Sequence, residues 1–165
     1  MDLRTHCLTM HRYQRWAYGR LYEAVRTLAE HEYRRDVGLF FGSMHRTLNH
    51  LLLVDRVWLG RLNGTPAPYT SLDQEVESDR EALERAILAQ CETWLEFVNA
   101  VPEQRFAGSE QYRSMAGKPF ELPFASLVLH VANHGTHHRG QVSTALTQFG
   151  VDAPVMDLPY FLLDT

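Results

Sequence analysis

Cysteine, lysine and long apolar runs are nearly absent from this 165-residue chain. The two cysteines, Cys7 and Cys91, cannot build a disulfide framework and form no CxxC pair. That points to a reducing compartment, so a cytoplasmic location is expected. The longest aliphatic run, Leu51–Val54, is far short of a membrane span. The opening MDLRTHCLTMHRYQRW has no apolar stretch of signal-peptide type, so no secretory leader is expected. Positive charge is not in excess either: the formal net charge is −4 and the pI about 6.1. Such a chain binds polyanions poorly, so neither nucleic acid nor a membrane is expected as a partner. Against one lysine, Lys118, stand nine histidines.

What is present fits one globular domain spanning residues 1–165, with 45% hydrophobic and 22% charged residues. Charge is unevenly spread. Residues 1–35 carry seven arginines against four acids, and residues 72–103 carry nine acids against two arginines. These segments either form solvated helix faces or pair with each other, within one chain or across a dimer.

The pattern is helical. Residues 4–31 contain no proline, and Leu8, Trp16, Leu21, Val25 and Leu28 recur at helical spacing. Ser43 suits the cap of a second helix running to Asn63, with Gly64 just past its end. A third helix is expected to start near Ser71 or Ser78, each followed by a capping-box partner, and to end at Pro102. Residues 103–122 read as a short hairpin or irregular insertion around Ala116-Gly117. Pro123 fits the first turn of a fourth helix and Gly150 its C-terminal cap. Four long amphipathic helices imply an all-α, antiparallel four-helix bundle.

The fourth helix holds His130, His134, His137 and His138 within nine residues. At about 100° per residue, with His130 at zero, His134 falls near about 40°, His138 near about 80° and His137 near about −20°. The apolar residues Leu127, Val131, Val142, Ala145 and Phe149 lie around roughly 60–120° on the same count. His134 and His138 therefore point inward, His130 sits at the edge and His137 leans out. Two imidazoles at i and i+4 on a buried face present two nitrogens to one metal, and without partners they would be costly to bury. The competing reading is a pair of core histidines bonded to backbone or side chains.

A third ligand must come from elsewhere. His45 and His50 of the second helix flank its apolar stripe on opposite sides, and the wheel does not choose between them. Asp55 falls on the apolar side, where it suits either a bond to the second nitrogen of a ligand histidine or one to an Arg, Tyr or Trp of helix one. Gln141 lies near about 20° on the helix-four wheel, within reach of a metal-bound group or of a neighbouring helix. His6, His11 and His31 have no partner at a telling spacing and read as surface or edge residues.

Nearly the whole chain resembles the DinB family of metal-dependent proteins. The resemblance is carried by Tyr13–Trp16 and Arg20-Leu21-Tyr22, by Leu48-Asn49-His50-Leu51 followed by Asp55-Arg56-Val57-Trp58-Leu59, by Leu129-His130, by the string Asn133-His134-Gly135-Thr136-His137-His138-Arg139-Gly140-Gln141, and by Asp157-Leu158. It implies an up-down-down-up four-helix bundle, commonly a homodimer, and a three-histidine metal site. By position the ligands are His50, His134 and His138, with nickel or zinc as the metal and iron as a further option. Three neutral imidazoles leave a position open, a catalytic rather than a structural pattern. Relatives in the wider superfamily use low-molecular-weight thiols as co-substrates in transfer or isomerisation. The expected function is therefore a metal-dependent, thiol-linked transferase acting on a small molecule. A metal-dependent hydrolase and a non-catalytic, metal-containing stress-response module are the alternatives.

Overall fold

The computed structural model describes residues 2–164. In chain order its elements are α1 Leu3–Val25, α2 Glu30–Tyr33, α3 Met44–Leu62, α4 Arg80–Ala100, α5 Glu103–Phe106, strands β1 Ser109–Arg113 and β2 Pro119–Pro123, α6 Phe124–Thr147 and α7 Leu158–Asp164. The four long helices form the body: α1 and α3 each pack on both α4 and α6. The strands make an antiparallel hairpin pairing Tyr112 with Phe120, turned at Gly117 with φ of 77°. No described helix is long and apolar enough to cross a membrane.

Local signals explain most boundaries. The Ser43 side chain accepts from the Arg46 amide at the start of α3, as its position suggests, and Gly64 takes a positive φ just past the end. Helix one is shorter than expected. It stops at Val25, and the chain turns so that Leu28 and Tyr33 both enter the core. Arg80 closes that end by donating to the carbonyls of Val25 and Leu28. Neither Ser71 nor Ser78 starts the next helix. Asp79 does, its carboxylate accepting from the Ala82 amide, so the preceding loop runs on to residue 79. Pro123 stands just outside α6 as its cap rather than in its first turn.

The buried face of α1 is Cys7, His11, Gln14, Tyr18, Leu21 and Val25, a run at spacings of three and four. His11 belongs to the core and not to the surface: it is 1% exposed, stacks on Trp94 and pairs its Nε2 with the Val128 carbonyl. The two oppositely charged segments meet inside the chain, through Arg15–Glu92, Arg26–Glu84 and Arg4–Glu103.

Candidate metal centre

α3 and α6 bring His50, His134 and His138 together. One ring nitrogen from each lies within 4.8 Å of the others, a group able to hold a metal ion. The i, i+4 spacing brings His134 edge-on to His138 on α6, with ring centroids 4.5 Å apart and 67° between planes. His50 reaches across from α3, its Nε2 3.2 Å from the Nε2 of His134. His50 and His138 are buried and His134 is half-buried.

Contacts behind the rings decide which nitrogens face inward. His50 Nδ1 lies 2.7 Å from the Leu72 carbonyl, which can only accept, so Nδ1 carries the proton and Nε2 a lone pair. His138 Nδ1 likewise lies 2.8 Å from Gln141 Oε1. A carbonyl oxygen behind an imidazole fixes its tautomer and ring angle in this way at metal sites. Phe41 stacks on His50 with centroids 3.9 Å apart and 25° between planes, which holds that ring from its open face.

His134 is different. Its Nδ1 is buried without a partner. If its proton sits on Nε2 and bonds to His50, Nδ1 is a bare buried acceptor. If the proton sits on Nδ1, two Nε2 lone pairs face each other across 3.2 Å. Either way a polar atom is unserved. A cation between the Nε2 atoms removes that repulsion. Two imidazole nitrogens about 2.0–2.1 Å from one tetrahedral zinc lie roughly 3.3 Å apart, so the observed separation fits a shared ion.

Electrostatics favours the neutral rings a metal needs. Burial pulls His50 down to about 4, the Leu72 bond resisting. Burial and the neighbouring imidazoles pull His134 to about 3. Burial also lowers His138, opposed by Gln141. At neutral pH all three keep their lone pairs.

The other candidates are used elsewhere. His45, the rival of His50, faces away and is held by the Tyr33 hydroxyl at 3.2 Å and Glu75 at 2.6 Å. His130 lies edge-on to Trp58, and His137 is exposed beside the Gln141 amide. Asp55 does not back a ligand histidine. It accepts from Gln14 of α1 at 3.2 Å, while a main-chain carbonyl takes the place behind His50. The Leu72 carbonyl and the Phe41 ring escaped sequence reasoning. A main-chain carbonyl has no residue identity, and Phe41 lies in a loop with no periodicity.

His50, His138 and Gln141 line a cleft of about 850 Å³, walled by residues 36–42 and Ser71–Asp73. No cysteine lines it: Cys7 and Cys91 are buried in the core, where burial pushes the Cys7 thiol up to about 11.

The DinB family model matches residues 2–164, and the chain belongs to this family. It is 24% identical over 162 residues to Protein DinB of Bacillus subtilis (strain 168), covering 94% of this chain and 93% of that one.

Proposed function

We propose that this protein is a metal-dependent enzyme that transfers a small-molecule thiol to an electrophile, with His50, His134 and His138 as its ligands. The observation that carries the reading is three neutral imidazoles converging under an open cleft whose lining offers no nucleophilic thiol of its own. A sealed site would suit a structural ion, whereas a cleft leaves room for substrate. A divalent ion there, nickel, zinc or iron, supplies Lewis acidity that favours the thiolate of an incoming thiol at neutral pH.

The chain's own residues do the rest. Leu72 and Gln141 hold two rings with their lone pairs inward. Phe41 shields one face of His50. The apolar side chains of the 36–42 loop give the cleft a wall for the electrophile. The reading includes an up-down-down-up bundle, a cytoplasmic location and a homodimer. The dimer leans on family resemblance, because the charged segments meet within one chain.

The test is a panel of thiols and haloaromatic electrophiles, assayed with metal-loaded and chelator-treated protein. Faster conjugation by the loaded protein, lost in His138→Ala, is expected. Equal rates throughout would remove thiol transfer, and turnover of an ester without any thiol would favour hydrolysis. Light scattering that returns 19.0 kDa would remove the dimer.

A further inference from the structure

A second cleft, of about 770 Å³, lies between the C-terminal half of α3 and the β-hairpin, and none of the three clustered histidines lines it. Its walls are largely apolar: Val57, Pro66, Ala67, Met115 and Phe120. Arg61 enters from α3. Its guanidinium lies over the ring of Trp58 at 4.7 Å and that of Tyr112 at 5.4 Å. Among the described residues it has no hydrogen bond and no carboxylate partner, unlike Arg4, Arg15, Arg26, Arg34, Arg80 and Arg105. Glu121, the acid in the lining, accepts instead from Gln111 at 3.1 Å. The hairpin also carries Arg113 and Lys118 against Glu110 and Glu121, and Glu110 is paired with Arg105.

A half-buried guanidinium without an anion is costly, and burial here weakens its hold on its proton. The rings of Trp58 and Tyr112 stabilise its faces but leave the planar N–H fork, which matches a carboxylate in two parallel bonds. The apolar walls suit the body of such a ligand. Tyr112 and Phe120 stack on each other with centroids 5.5 Å apart and 18° between planes, and the Lys118 ammonium lies 5.2 Å from the Phe120 centroid.

We propose that this cleft binds a small organic carboxylate with an apolar, preferably aromatic, body. Its carboxylate sits on the Arg61 fork and its body against Phe120 and Met115. The site is separate from the histidines and does not depend on the enzymatic reading above. The two regions do touch: Trp58 lies between Arg61 and His130, and His130 neighbours His134 with centroids 5.8 Å apart.

The probes are 2-naphthoate and its neutral isostere 2-naphthamide, titrated calorimetrically into metal-loaded protein. A charged bidentate bond predicts that naphthoate binds about 10- to 100-fold tighter than the amide. Arg61→Leu should erase that preference. Phe120→Ala should weaken both probes alike, and it decides the matter if Arg61→Leu fails to fold. His138→Ala should leave naphthoate binding in place, which separates this cleft from a carboxylate captured by the metal. Naphthoate affinity unchanged in Arg61→Leu, or lost in His138→Ala, overturns the proposal, as does binding that fails to distinguish acid from amide.

Discussion

Two groups of polar side chains are buried side by side along α6. His134 and His138 turn toward His50, under a cleft. Arg139, one residue on, turns into the bundle, where its guanidinium lies 4.9 Å from the ring of Tyr18, near Asp55 and Gln14. Both groups hold polar atoms without partners: His134 Nδ1 in the first, and Gln14 Oε1, Tyr18 Oη, Asp55 Oδ1 and Arg139 Nη1 in the second. The difference lies in charge and access. The histidine group is neutral, converges lone pairs of one kind and opens to solvent. The Asp55–Arg139 group sets a guanidinium near a carboxyl that burial keeps protonated up to about pH 8, sealed inside the bundle. Buried polar atoms alone do not make a ligand site. The first group is able to hold a cation from outside, whereas the second is enclosed among side chains of α1, α3 and α6.

The largest expected effect tests that division. His50→Ala, His134→Ala and His138→Ala should each lower metal affinity by more than about a hundredfold, since losing an outer partner of a ligand already costs about 10- to 100-fold. Gln141→Leu should fall in that lower range. Asp55→Asn should leave metal content unchanged. Elemental analysis and chelator competition measure all five. Metal lost from Asp55→Asn, or retained in full by His50→Ala, would break the distinction between the two groups.

The histidine group was the more legible of the two in the sequence. On α6 the four-residue spacing places His134 and His138 on one inward face, because helix geometry is local. His45 and His50 tied on the wheel because the helix itself does not distinguish them. What separates them is distant in the chain: Glu75 and Tyr33 around His45, Leu72 and Phe41 around His50. The Asp55 group was hidden for another reason. His11 and Gln14 interrupt the apolar pattern of α1, although their spacing from Cys7 and Tyr18 marks the buried face. The capping-box pattern favours Ser71 and Ser78 over Asp79, which has Ala82 three residues on, yet the Asp79 carboxylate alone suffices to cap α4.

A smaller effect is a difference in the sign of pH dependence. His50 and His134 titrate near 6.5 when unfolded but near about 4 and about 3 in the fold, so only the unfolded chain takes up protons between those values. Their contribution to stability is complete above pH 6.5 and is lost as pH falls toward 4. Asp55 runs the other way. Burial raises it from 3.8 to about 8, against the pull of Arg139, so its contribution is complete below 3.8 and is lost as pH rises toward 8. Each group contributes a slope of at most about 1.4 kcal/mol per pH unit within its window. In chelator-treated protein the two slopes oppose each other below pH 6.5. Urea unfolding of Asp55→Asn should therefore show a steeper gain in stability up to pH 6.5 and a flatter course beyond it. A difference between wild type and Asp55→Asn that is constant across pH would rule out this titration.

The smallest expected effect separates two glycines of α6 that look alike in the sequence. A Cβ on Gly135 would lie 2.4 Å from Gln14 Oε1 and 2.7 Å from Arg139 Nη1. Both side chains are almost fully buried, so neither can swing away into solvent. A Cβ on Gly140 would meet nothing within 4 Å. Alanine in a helix interior gains up to about 1 kcal/mol over glycine at either position. Gly140→Ala should keep that gain. Gly135→Ala should lose it to overpacking of about 1–3 kcal/mol and come out less stable than wild type. Urea midpoints at constant slope measure both. If Gly135→Ala matches Gly140→Ala, then Gln14 and Arg139 shift freely, and the sealed group is not the fixed counterpart of the histidine cluster.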